Sequence, residues 1–80
     1  MINILVREAD TEDIVYLNGQ QLVDDQHFED HIEHHVPVQI YLTGQHTDIG
    51  FIEQYCPKYV KVNHTFYTRS EFTFISRPGY

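Results

Sequence analysis

The sequence predicts an α+β domain in which an N-terminal β-hairpin and one short helix are joined to a bent antiparallel five-stranded sheet. Three observations carry this reading. Asn18-Gly19 stands between two short runs rich in apolar residues, an acidic stretch follows whose apolar residues recur every four positions up to a proline, and from Val38 onward the apolar residues recur every two. The 80 residues make one domain, residues 1–80, and a content of 41% hydrophobic and 14% aromatic residues is too apolar for a disordered tail. A chain this short cannot build a dinucleotide-binding or barrel-enzyme fold, which excludes the chemistry those folds support.

The elements follow in order. Residues 2–7 are apolar and β-branched enough for a short strand, and an acidic loop runs from Glu8 to Asp13. Ile14-Val15-Tyr16-Leu17 and Gln20-Gln21-Leu22-Val23 flank Asn18-Gly19, a pair suited to the two positive φ angles of a type I′ turn. Asp24 or Asp25 caps a helix from Asp25 to His35, along which Phe28, Ile32 and Val36 form a narrow apolar stripe. Pro37 ends it, because the residue before a proline is pushed out of helical conformation. A helix so short and polar has to dock on a sheet to persist.

The strands are expected at Val38–Leu42, His46–Tyr55, Lys58–Val62, Thr65–Thr68 and Glu71–Ile75. Thr43-Gly44, Cys56-Pro57, Asn63-His64 and Arg69-Ser70 separate them, and Gly50 marks the point where the second strand bends. Val60 and Val62 are expected inside, with Lys58 and Lys61 partly outside.

A short helix followed by five tightly connected strands, with Thr43-Gly44 ahead of Thr47-Asp48-Ile49-Gly50 as strand, turn and bent strand, resembles the Sm-like small barrel. The resemblance covers residues 25–75 and is one of topology and spacing, without a diagnostic motif. It implies a small-barrel-like sheet, ring-like self-association and RNA binding, although no residue here matches that family's RNA pocket. The extra N-terminal hairpin lies outside the pattern. The chain also resembles small proteins of Gram-positive bacteria and their phages.

Charge divides the chain. Residues 1–40 carry Arg7 against nine acids, a net of −8, whereas residues 41–80 carry four bases against three acids, a net of +1. An acidic half repels nucleic acid and anionic lipid and favours a protein partner with a basic surface. Asp10, Glu12 and Asp13 in the loop and Glu29, Asp30 and Glu33 on the helix are the candidate partner-binding residues. The function expected is therefore a non-enzymatic protein–protein interaction module, including self-association as a homo-oligomer. The alternative is single-stranded RNA binding by the second half, with Tyr59 and Lys61 on one side of a strand and Tyr67 with Arg69 on another. Against it stands the formal net charge of −7, since affinity for phosphates rests on positive charge.

His27, His31 and His35 recur every four residues, a spacing that can place two imidazoles on one zinc, nickel or copper ion. The glutamate of the His-Glu-x-x-His motif is missing, so the plainer reading is a polar flank beside the apolar stripe, and no cofactor is expected. The neighbouring carboxylates would favour charged imidazoles near neutral pH. Ser70, Ser76 and Cys56 stand in no nucleophile motif and the four glycines form no phosphate loop, so no enzymatic activity is expected. The start of the chain lacks the features of a secretion signal, no apolar run approaches a membrane span, and the single cysteine suits a reducing compartment. The expected location is the cytoplasm.

Overall fold

The structure, a computed structural model, describes residues 16–80. Among the described residues one helix, α1 (Asp25–Glu33), is accompanied by seven strands: β1 (Gln21–Leu22), β2 (Val38–Leu42), β3 (Gln45–Gly50), β4 (Ile52–Tyr55), β5 (Tyr59–Val62), β6 (Thr65–Thr68) and β7 (Phe72–Ser76). They form two antiparallel sheets, one in the order β1-β7-β2-β3 and the other β4-β5-β6. The small α+β domain read from the sequence is present, but its single five-stranded sheet is not. The expected strand His46–Tyr55 breaks at Phe51, so its leading segment joins one sheet and its trailing segment the other, and Gln21-Leu22 adds a further strand to β7.

Two of the turns between strands show why the hairpins close where they do. Thr43 and Gly44 have φ of 48° and 80°, and Asn63 and His64 have 51° and 64°. Two successive positive φ angles are the type I′ pattern, whose twist matches that of the paired strands. Asn18-Gly19 behaves differently. Gly19 alone is positive, at φ 94°, while the Gln20 amide closes the turn on the Leu17 carbonyl at 3.0 Å. The chain leaving this turn pairs with β7, through Gln21 with Ile75 and Leu22 with Phe74. The expected type I′ turn is therefore replaced by one that delivers β1 to a distant strand; of the hairpin's first half, Ile14-Val15 lies outside the described residues, as does the expected strand at residues 2–7.

The helix starts after Asp24, whose amide donates to Nδ1 of His27 at 3.2 Å; the Val23 amide donates to the same atom at 2.9 Å. It ends two residues earlier than expected. His35 sits at φ 52°, its amide bonds the Ile32 carbonyl, and the Val36 amide bonds the His31 carbonyl at 3.0 Å. This is the Schellman closure, which occupies carbonyls that the last turn leaves without partners.

Period-two alternation places Val38, Ile40 and Phe74 inside, where they join Leu22, Phe28, Ile52, Val60, Val62 and Tyr67 in one core. Phe28 crosses Phe74 edge to face and packs beside Tyr55, which ties the helix to both sheets. At the break, the Asn63 side chain lies over Gly50 and donates to Asp48 at 3.0 Å and to the Ile49 carbonyl at 2.9 Å. A Cβ on Gly50 would stand 2.8 Å from that amide, so any larger residue would push the Asn63 side chain off these bonds.

Candidate functional site

The helix turns a mixed face to the sheet. Phe28 is buried as the apolar stripe requires, and so are Asp30, 4% exposed, and His31, 1% exposed. Buried charges and rings of this kind need partners, and each has them. The Asp30 carboxylate accepts from the Tyr16 hydroxyl at 2.6 Å and from Gln26 at 2.8 Å. Burial would raise its pKa, but these hydrogen bonds prevail and hold it below the usual carboxylate value. Tyr16 is raised in turn, by burial and by Asp30.

His31 spans two elements, with Nδ1 2.7 Å from the His27 carbonyl and Nε2 2.7 Å from the Ser76 hydroxyl on β7. A carbonyl only accepts, so Nδ1 carries the proton and Nε2 accepts from Ser76. Burial lowers the His31 pKa and keeps the ring neutral. A hydroxyl hydrogen-bonded to an imidazole is the first half of a nucleophilic triad. Here both groups are closed to solvent, Ser76 at 0% exposure, and the pair ties helix to sheet.

The histidine column expected from the four-residue spacing does not form. His27 has Nδ1 committed to the start of the helix, His31 is sealed against Ser76, and His35 has left the helix at positive φ. Among the described residues no group of three or more histidine, cysteine or acidic side chains is placed to hold a metal ion.

Of the acidic residues expected on the helix surface, one is buried. Asp30 is inside because Tyr16 covers it, and Glu29 accepts the Tyr55 hydroxyl at 3.0 Å, leaving Glu33 exposed. Asp10, Glu12 and Asp13 lie outside the described residues.

The four residues of the nucleic-acid reading separate into two pairs. Tyr67 is in the core, its hydroxyl donating to Asp48 at 2.7 Å. Burial and that carboxylate push its pKa up to about 12, and the bond from Tyr67 holds Asp48 below the ordinary carboxylate value. Arg69 pairs with Asp25 at 2.7 Å, donates to the Cys56 and Val23 carbonyls, and lies 4.6 Å over the Phe28 ring. Neither side chain is available to a ligand.

Tyr59 and Lys61 do face outward. Register pairs Lys61 with Phe66 and Tyr59 with Thr68, so these four share the outer face of the three-stranded sheet. Tyr59 is 41% and Phe66 55% exposed, with ring centroids 6.1 Å apart in an edge-to-face arrangement. The Lys61 ammonium stands 5.3 Å over Phe66 and 3.8 Å from Glu53. A groove of about 410 Å³ continues the face past Pro57, Lys58, Tyr59, Thr68 and Ser70. β6 forms one edge of this sheet, with no strand among the described residues on its far side. Lys58 is expected from the sequence to be partly exposed, but neither it nor Phe66 is among the four candidate residues; the alternation of Phe66 with the inward Tyr67 is the signal that could have added Phe66.

No helix among the described residues is long and apolar enough to cross a membrane. Comparison with protein-family models, curated proteins and solved structures finds no match to the chain.

Proposed function

We propose that the chain is a non-enzymatic protein–protein interaction module whose docking surface is the outer face of the β4-β5-β6 sheet. The observation that carries the proposal is the exposed Tyr59–Phe66 pair beside a strand edge that has no partner strand among the described residues. Solvent-facing aromatic rings are costly to leave in water and are favoured as anchors at interfaces, and the free edge adds backbone donors and acceptors. Lys58 and Lys61 suit carboxylates on the partner at this face. A basic partner would instead meet Glu33 and its acidic neighbours on α1. A small-barrel-like relation to Sm-like proteins stays part of this reading through the order of a helix and consecutive strands; the division into two sheets weighs against closure. A cytoplasmic setting belongs to the same proposal, supported by the free thiol of exposed Cys56.

A second reading, single-stranded nucleic acid, draws on the same face because Lys61 beside Phe66 is a stacking platform with a charge. The net charge of −7 and the commitment of Tyr67 and Arg69 to the core and to Asp25 weigh against it.

Affinity capture from the native host, with the parent beside a Tyr59→Ser/Phe66→Ser variant and with and without nuclease, decides between them. A protein held by the parent, lost by the folded variant and insensitive to nuclease is the expected result. Capture lost on nuclease treatment favours the nucleic-acid reading, and identical capture by parent and variant removes this face as the interface.

A further inference from the structure

The outer face of the other sheet holds a cation that has no countercharge among the described residues. Alternation places Gln39 and Tyr41 of β2 beside Ile75 and Thr73 of β7, on the side away from the core, and Arg77 follows at the end of β7. The Arg77 side chain is half-buried across this face. Its Nε donates to the Gln39 side-chain carbonyl, and one terminal nitrogen donates to the Asn18 side-chain carbonyl at 3.2 Å. Tyr41 donates to the same Gln39 oxygen at 3.1 Å. Both acceptors are neutral amides, although the chain has twelve carboxylates and five lysines and arginines. Arg69 and Lys61 each have a carboxylate partner, at 2.7 and 3.8 Å; no carboxylate of the described residues lies within 4.0 Å of Arg77. Three of its five N–H groups meet no acceptor among the described residues.

A groove of about 290 Å³ opens beside this guanidinium, lined by Gly19, Tyr41, Gly44, Thr73, Ile75 and Arg77. Both glycines lie at positive φ, a Cβ on Gly19 would make ordinary contact with the arginine at 3.5 Å, and Gly44 faces open space. From this we infer that the groove is a binding site for a small organic monocarboxylate, its carboxylate on Arg77 and its apolar body against Tyr41 and Ile75. A guanidinium offers the forked donors a carboxylate takes, and a partly desolvated charge gains most from such a partner. One base in a chain of net charge −7 suits a monoanion over a phosphate dianion. The volume lies at the small end of the range for ligand sites, which restricts the body to a single ring or a short branched chain.

The test is an NMR titration of the isotopically labelled full chain with phenylacetate, its neutral analogue phenylacetamide, and phenyl phosphate, at low ionic strength. Phenylacetate is expected to shift the Gly19, Gly44, Thr73 and Ile75 amides saturably, with at least fivefold higher affinity than either other probe. Arg77→Gln is expected to lose that preference. Asn18→Asp, which sets a carboxylate where the amide now accepts from Arg77, is expected to weaken phenylacetate at least fivefold while leaving the fold intact, so the outcome does not depend on the Arg77 variant folding. Equal affinity for acid and amide, absence of a saturable response, equal or tighter phenyl phosphate binding, or undiminished binding to Asn18→Asp would each overturn the assignment.

Discussion

Replacing Ser76 by alanine removes one hydroxyl from a site at 0% exposure and leaves Nε2 of His31 facing apolar atoms. Two costs add: the net worth of the hydrogen bond and the desolvation of an acceptor that no longer has a donor. Together they come to about 2 kcal/mol. A domain of this size shifts its melting temperature by roughly 4–8 °C per kcal/mol, so Ser76→Ala should melt about 10 °C below the parent. Thermal and urea unfolding followed by circular dichroism at pH 7.5 measure both quantities. His31→Leu strands the Ser76 hydroxyl in the same way, but the double variant removes both partners, so its cost should fall at least about 1 kcal/mol short of the sum. The pair also has a pH signature. Burial puts the folded His31 pKa below the unfolded value near 6.5, so between the two the unfolded chain binds more protons. The contribution of this ring is complete above about pH 6.5 and is lost as pH falls through the folded value, a decline that His31→Leu should flatten. If Ser76→Ala stays within about 0.5 kcal/mol of the parent, or the two variants add, the buried bond is not what joins α1 to β7.

Two backbone predictions follow. His35→Gly should raise stability by about 1 kcal/mol, read as a higher melting temperature, because φ of 52° strains any side chain and glycine removes the strain. Gly19→Val should lower it by about 2 kcal/mol, since φ of 94° is hostile to a β-branched residue; an unchanged melting temperature would count against the turn.

Where information was local, the sequence could be read closely. The period-two alternation placed Val60 and Val62 inside, and Pro37 ended the helix within two residues of its observed end. Gly50 announced the bend one residue before the strand breaks. What escaped was set by contacts between distant residues. Asp30 and His31 looked like surface because nothing in the helix itself announces that Tyr16 and Ser76 will meet them. Asn18-Gly19 looked like a type I′ hairpin because the pairing of β1 with β7 is remote in sequence, whereas Thr43-Gly44 and Asn63-His64, with less favourable residues, adopt that turn where adjacent strands impose it. The candidate interface was half legible for the same reason: strand alternation exposed Tyr59 and Lys61, but only the fold shows that Arg69 is spent on Asp25 and Tyr67 on Asp48.

The Asn63 side chain does more than fill the space above Gly50. It comes from the turn between β5 and β6 and grips β3, and Tyr67 from β6 reaches the same Asp48, so the β5-β6 hairpin of one sheet is fastened to a strand of the other. The break at Phe51 would otherwise be a seam along which the two leaves could open independently. With that fastening, opening either leaf exposes the hydrogen-bonding groups of both, and the two sheets form a single cooperative unit that gives way all at once.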